Sequence, residues 1–159
     1  MEQKALTMNC LKQFWNIFRE FFQNKLNVKL PAQVEGNEPI GRYLFRSSQF
    51  SRIKLRPNSS AFMPHPVTLE LSVVRIVGIE DSDIRRISKK IIKRSKSLEK
   101  VYGLAEIEAG RVQKAGLSVL PDDKPFLRHA NIVGWPKEKQ EQKIFAAELA
   151  QNAKLKLFS

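Results

Sequence analysis

Cysteine is scarce in this chain, and its scarcity excludes two kinds of structure. Cys10 is the one cysteine among 159 residues, so the chain forms no internal disulfide. This absence is typical of a reducing compartment, and we expect a cytoplasmic protein. One cysteine and two histidines also cannot supply a cysteine-rich structural zinc site. The sequence therefore predicts no metal site.

Long apolar runs are missing as well. No apolar segment approaches the ~20 residues that span a bilayer. Near the N-terminus, Lys12, Arg19, Glu20 and Lys25 interrupt the apolar residues, which is unlike a secretory signal. We expect a protein that is neither exported nor transmembrane, so a membrane contact would have to be peripheral.

The sequence also lacks the common catalytic and nucleotide-binding motifs. It contains no Walker-type glycine-rich loop, no GxGxxG, no GxSxG and no HExxH. An RNA-recognition aromatic motif and zinc-finger spacing are absent too. These absences predict no cofactor and favour a binding protein over an enzyme.

Acidic residues are few relative to basic ones. The chain has 28 Lys and Arg against 16 Asp and Glu, a net charge of +12, which exceeds what solubility requires. Such an excess favours an anionic partner, whether nucleic acid, an acidic protein or anionic lipid, although a solvated basic face with no ligand has the same composition.

The densest basic segment is RRISKKIIKRSKSLEK, residues 85–100. Ile84, Ile87, Ile91 and Leu98 recur near helical spacing, which predicts a helix with one apolar stripe and a cationic outer face. Asp81 or Ser82 could cap its start. The basic residues of the segment are Arg85, Arg86, Lys89, Lys90, Lys93, Arg94, Lys96 and Lys100.

A second basic segment, RYLFRSSQFSRIKLRP, interleaves aromatic residues with cations. Its cations are Arg42, Arg46, Arg52, Lys54 and Arg56. Tyr43, Phe45 and Phe50 could stack on bases between phosphate contacts, as in single-strand binding. Alternatively, these aromatic residues belong to the core and the cations only flank them.

The N-terminal residues predict an amphipathic helix rich in aromatic side chains. We assign residues 1–30 to this helix, 31–39 to a linker containing Gly36 and Asn37, and 40–159 to a small basic domain. The aromatic stripe could pack on the domain's own core, in a partner's groove or at a membrane surface. The candidate partner-binding residues are Phe14, Trp15, Phe18, Phe21 and Phe22.

The remaining pattern predicts an α+β domain. Residues 67–76 alternate apolar and polar side chains and form the best strand, and shorter strand-like runs occur at 42–45, 101–107, 117–120 and 130–133. Residues 108–115 predict a short helix, and Pro136 could open the last one. We expect a small sheet of three or four strands with about three helices, besides the N-terminal amphipathic helix.

The block RHANIVGWP, residues 128–136, predicts a sharp corner between a strand and a helix. Gly134 permits an unusual backbone angle, and Trp135 can pack over the first helical turn. A functional alternative places Arg128 and His129 beside a helix N-terminus, where anions bind. His129 is then a weak candidate for a general acid or base, oriented by Asp122 or Asp123, but no nucleophile or metal is evident.

Several segments together resemble a group of short uncharacterised bacterial proteins. They are FMP, LSVVRIVGIEDSDI, GLSVLPDDKP and RHANIVGWP, the last being the most specific. The resemblance covers roughly residues 40–155 and implies that residues 40–159 form one small domain of bacterial type. It implies no activity, cofactor or catalytic residue.

Two hypotheses of function follow. The first is a small, basic, non-enzymatic protein that contacts nucleic acid through phosphates, using the two cationic segments and Arg128; its binding should depend steeply on salt and weakly on sequence. The second is an accessory subunit of a bacterial protein complex, such as a toxin–antitoxin or phage-defence assembly, docked through the N-terminal helix.

Overall fold

A six-stranded antiparallel sheet forms the centre of the fold in this computed structural model, which describes Leu26 and residues 28–158. In chain order the strands of the sheet are β1 (Pro39–Leu44), β4 (Leu71–Arg75), β5 (Gly103–Glu108), β6 (Ser118–Pro121), β7 (His129–Val133) and β8 (Lys154–Leu157). Their spatial order is β6-β7-β4-β1-β5-β8. A separate short hairpin joins β2 (Phe50–Ser51) to β3 (Arg56–Pro57).

Within the described residues, three α-helices cover the two faces of the sheet. They are α1 (Asp81–Arg94), α2 (Ala109–Lys114) and α3 (Lys139–Asn152). Because side chains alternate along a strand, each strand serves both faces. The larger core lies under α2 and α3 and includes Leu71, Val73 and Leu149. The smaller core lies under α1 and includes Tyr43, Val74 and Leu104.

The mixed α+β class is confirmed, but the sheet is larger than the predicted three or four strands. β8 was missed because KLKL is a single short alternation directly after a helix. β1 begins at Pro39, inside the segment assigned to the linker. Both strands pair with β5, which is distant from each of them in sequence, so short-range periodicity does not reveal them.

The basic helix ends earlier than predicted. α1 stops at Arg94, and Ser95 takes an extended conformation while its N–H donates to the main-chain oxygens of Ile91 and Ile92. Lys96 and Lys100 therefore follow the helix in an irregular segment. The helix begins after Glu80 rather than at a cap formed by Asp81 or Ser82.

The corner predicted between β7 and the last helix is present. Gly134 has a φ of +90°, which favours glycine. The Trp135 indole is 6% exposed and donates from Nε1 to the Ile132 oxygen at 3.0 Å, and its ring meets Phe145 of α3 edge to face. The helix itself starts at Lys139, three residues beyond Pro136.

Residues 31–39 make specific contacts with the sheet through one buried ion pair. Arg75 donates to Glu38 from Nε to Oε1 at 2.6 Å and from Nη2 to Oε2 at 2.8 Å. Its Nη1 also donates to the Pro31 oxygen at 2.7 Å. Val34 is buried in the larger core. The division into a helix, a linker and a domain stays a prediction, since residues 1–25 lie outside the described part.

Within that described part, no helix is both long enough and apolar enough to cross a bilayer. The aromatic residues predicted to bind a partner lie outside the described residues. They are Phe14, Trp15, Phe18, Phe21 and Phe22.

Candidate nucleic-acid interface

The outer face of α1 carries a row of exposed cations. Ile84 and Ile87 turn toward the sheet and are buried, which directs Lys89, Lys90 and Lys93 to solvent. Among residues 28–158, these three lysines form no ion pair with a carboxylate. Their charges are therefore not neutralised by the described part of the protein.

The remaining cations of α1 are more engaged. Arg86 Nη1 lies 3.7 Å from Oδ1 of Asp83, a fully buried aspartate one turn before it. Arg94 donates from Nη1 to the Pro125 oxygen at 3.1 Å. Arg85 is half-buried, with its guanidinium 5.1 Å from the centre of the Phe158 ring. Arg86 and Arg94 are nevertheless exposed and extend the basic face at both ends.

The segment after α1 connects the helix to the second cationic group. Lys100 Nζ lies 4.9 Å from the centre of the Tyr102 ring, and that ring lies 5.7 Å from the ring of Phe50. On the far side, Arg52 Cζ is 5.8 Å from the centre of the Phe50 ring. These two aromatic rings, whose planes are tilted by 47°, thus link a cation that follows α1 to a cation of the β2–β3 hairpin.

The hairpin itself lies on the other side of the sheet. Arg56 and Pro57 line a shallow pocket with Ala147 and Ala150 of α3, which covers the face opposite α1. Arg46, Arg52, Lys54 and Arg56 are all exposed, and the tip also exposes Ile53 and Leu55. The cations of the hairpin therefore belong to a different layer from those of α1, and the two groups are linked by the Lys100–Arg52 contact chain.

The aromatic residues of the second segment are largely core residues. Tyr43 is 5% exposed, and its hydroxyl donates to the Ile84 oxygen of α1 at 2.7 Å. Burial raises the pKa of the Tyr43 phenol. Phe50 is also buried, and Phe45 is half-buried. Of the two interpretations of these aromatic residues, stacking on bases or packing in the core, the second therefore holds for Tyr43 and Phe50.

Arg42 lies where β1 and β4 separate. The two strands pair through Ile40–Arg75 and Gly41–Val74. Just beyond, the Arg42 guanidinium donates from Nη1 to the Ser72 oxygen at 3.0 Å and from Nε to the Ala61 oxygen at 3.2 Å. Burial lowers the pKa of Arg42 to about 10, so the group is still a cation at neutral pH.

Arg128, a predicted phosphate ligand, is placed in the interior. Its exposed fraction is 4%, and Nη1 donates to the main-chain oxygens of Arg75 and Val77 at 3.2 Å and 2.9 Å. Burial and then the nearby charge of Arg75 lower the pKa of Arg128, while Asp83 and Glu38 act in the opposite direction. These contacts give Arg128 a role in holding the end of β4 and leave little of its surface to a phosphate.

His129 meets one of its two predicted carboxylate partners. Nδ1 lies 3.1 Å from the Asp122 main-chain oxygen and 3.5 Å from its Oδ2. Because a carbonyl only accepts, the proton of the neutral ring resides on Nδ1. Phe126 packs edge to face on the imidazole, with ring centres 5.6 Å apart.

The anion site predicted at the last helix does not form around His129. His129 pairs with Val74, so its side chain lies on the α1 face of the sheet. Because side chains alternate along a strand, this face is opposite the one that α3 covers. The His129 side chain and the N-terminus of α3 therefore cannot share one site. Among the described residues, no cluster of three or more His, Cys, Asp or Glu could hold a metal ion.

Two connected concavities lie beside α1. A cleft of about 270 Å³ contains Arg42, Ser72 and His129. A groove of about 390 Å³ includes Lys90 and Arg94 of α1. Ile91, Pro125 and Phe126 line both. Sequence reasoning identified Arg42 and His129 separately, but missed Ser72 and Phe126, since these groups come from three segments that are distant in sequence.

Comparison of the chain with protein-family models, with curated proteins and with solved structures finds no match.

Proposed function

We propose that this protein is a non-enzymatic nucleic-acid-binding protein that contacts phosphates through the exposed face of α1. The observation that supports the proposal is the row of Lys89, Lys90 and Lys93, which are exposed and form no ion pair within the described residues. Fixed cations on a rigid helix release counterions from a nucleic acid when they meet its phosphates.

The neighbouring cations extend this face in a definite direction. Arg86 and Arg94 continue it along the helix, and Lys96 and Lys100 follow. The contact chain through Tyr102 and Phe50 then leads to Arg52. A strand following these residues would turn around the edge of the sheet instead of lying in one straight groove. We expect binding through backbone contacts, with little preference for base sequence.

The test compares two triple variants with the same change of charge. The first replaces Lys89, Lys90 and Lys93 with Glu. The control replaces Lys137, Lys139 and Lys143, exposed residues in or just before α3, with Glu. None of the six lysine side chains forms an ion pair in the described part of the chain, so neither triple breaks such a contact.

Nuclease-treated protein is titrated against labelled single-stranded RNA, single-stranded DNA and duplex DNA over a range of salt concentrations. For the α1 triple, loss of three phosphate contacts should flatten the slope of log affinity against log salt by about 2–3. The α3 triple should keep the slope of the parent protein. Absence of binding at low salt, or an equal loss in both triples, would refute the proposal.

If the parent protein binds none of the three nucleic acids, the uncompensated lysines meet an acidic protein or only solvent. Co-purification of a stoichiometric acidic protein that the α1 triple releases and the α3 triple retains would identify the first of these outcomes.

A further inference from the structure

The cleft beside α1 contains a half-buried positive charge that no carboxylate of the described chain balances. Arg42 donates to two main-chain oxygens from Nε and Nη1, and it forms no ion pair within residues 28–158. Burying a charge without a counter-charge is costly, so such a group favours an anionic ligand. Its remaining N–H groups are the donors that a phosphate oxygen could accept from.

The walls of the cleft are mostly apolar and partly aromatic. Phe45 and Phe126 contribute flat rings, and Ile91 and Leu98 come from α1 and the segment after it. The Arg42 guanidinium lies 6.0 Å from the centre of the Phe45 ring. Apolar walls with a few polar groups are characteristic of sites for small organic ligands.

The polar groups of the cleft are held by a chain of hydrogen bonds. Ser72 Oγ lies 3.4 Å from Asn131 Oδ1, and Asn131 Nδ2 lies 3.5 Å from Asp122 Oδ2. The same carboxylate oxygen faces His129. Asp122 is thus turned toward Asn131 and His129, which limits its repulsion of an anion near Arg42.

From this arrangement we propose that the cleft binds one nucleotide unit, with the phosphate of the nucleotide on Arg42 and the ring of its base against Phe126 and Phe45. The volume of about 270 Å³ lies just below that of ordinary small-molecule sites, about 300–1,000 Å³, which limits the occupant to one unit. The inference rests on the proposed function, because it assigns the same protein a place where one base leaves the strand.

The adjoining groove gives the rest of a strand its path. It shares Ile91, Pro125 and Phe126 with the cleft and carries Lys90 and Arg94 on its other side. A strand with one nucleotide in the cleft can therefore place its next phosphates on the basic face of α1. A free nucleotide carries the same phosphate and base ring as a nucleotide within a strand. The experiment below therefore tests both as occupants of the cleft.

The test uses the full chain and a matched pair of variants. Ser72→Leu places an apolar side chain in the cleft, while the Ser72 main-chain oxygen that holds Arg42 is unchanged. Ser118→Leu makes the same change at an exposed residue of the same face of the sheet, on β6, which does not line the cleft. A second cleft variant, Phe126→Leu, removes a flat ring but keeps an apolar side chain.

Each protein is titrated with labelled single-stranded decamers and, separately, with a nucleoside 5′-monophosphate and with inorganic phosphate. We expect Ser72→Leu and Phe126→Leu to weaken strand binding about ten-fold, the scale of one lost stacking contact. Ser118→Leu should stay within about two-fold of the parent protein. Far-ultraviolet circular dichroism and urea unfolding check that the variants fold.

The possible outcomes separate the two proposals. Strand binding that is weakened by both cleft variants and not by Ser118→Leu supports the inference, with a strand as the source. Saturable binding of the monophosphate that is lost in Ser72→Leu also supports the inference, with a free nucleotide as the source of the unit. This result would stand even if no strand bound and the proposed function were refuted. Equal strand binding by Ser72→Leu and Ser118→Leu, with no Ser72-dependent monophosphate binding, overturns the inference and leaves the proposed function standing.

Discussion

Replacing Glu38 with Gln should destabilise the protein strongly, because it removes the counter-charge of a buried arginine. Arg75 is 2% exposed, Glu38 is 7% exposed, and two short hydrogen bonds join them at 2.6 Å and 2.8 Å. In the variant, the amide provides one acceptor where the carboxylate provided two, and the guanidinium charge stays buried. Breaking one side of such a pair costs about 3–5 kcal/mol.

This free energy sets the size of the observable effect. For a chain of this length each kcal/mol lowers the melting temperature by roughly 2–4 °C, so Glu38→Gln should lower it by about 6–20 °C. Urea unfolding followed by far-ultraviolet circular dichroism measures the same loss as a change in midpoint. The control is Glu148→Gln, the same substitution at an exposed residue of α3, for which a change within about 0.5 kcal/mol is expected.

A double-mutant cycle distinguishes the pair from the separate contacts of its members. Arg75 also donates to the Pro31 and Gln33 oxygens, so Arg75→Gln has costs of its own. In the cycle Glu38→Gln, Arg75→Gln and the double variant, we expect a coupling energy of about 2–3 kcal/mol. A coupling near zero, or a loss in Glu38→Gln no larger than in Glu148→Gln, would refute the argument.

Three further predictions concern single residues. In a Tyr102→Phe chain, where Tyr43 is the remaining tyrosine, absorbance at 295 nm should rise with pH only when the chain unfolds, because burial raises the pKa of Tyr43. The contribution of Tyr43 to stability is complete below the pKa of an unfolded tyrosine, about 10, and declines as the pH rises above that value. Leu55 has a φ of +47°, and Leu55→Asn should raise the free energy of unfolding by about 1 kcal/mol, measured in urea. Gly103→Ala should lower it by about 1–3 kcal/mol, because the added Cβ meets the main-chain oxygen of Lys156 in β8.

Each of these predictions has a defined failure. Ionisation of Tyr43 while circular dichroism still reports a folded chain would contradict the first. Ile53→Asn is the control for the second, since it replaces another exposed apolar residue of the same hairpin that has no positive φ. An equal gain there would exclude backbone strain as the cause. For the third, Gly36→Ala meets neighbours only at 3.5 Å and beyond and should have a smaller effect than Gly103→Ala.

Features determined by adjacent residues could be predicted from the sequence. The corner at Gly134 and Trp135 and the apolar stripe of α1 depend on spacing within one or two turns, and both are present. The end of α1 was misplaced because Leu98 continues the helical spacing after the helix has ended. Its side chain instead lines the cleft.

Features that join distant residues could not be predicted in this way. Arg42 reaches a carbonyl of β4, and Arg75 reaches Glu38, and neither partner can be identified from periodicity. One signal was available for Arg75. It occupies the same face of β4 as Leu71 and Val73, and an arginine at such a position indicates a buried charge with a partner.

The position of β1 in the centre of the sheet has a consequence for synthesis on the ribosome. Ile40 pairs with Arg75 on one side and with Ile107 on the other, so the first strand of this sheet to be synthesised cannot pair fully until two later strands have been made. Until residue 108 has left the exit tunnel, β1 lacks one neighbour, and its backbone donors and acceptors are open to other chains. Chains released before β5 is complete should therefore aggregate, whereas chains that lack only β8 keep β1 paired on both sides and expose β5 as the new edge strand.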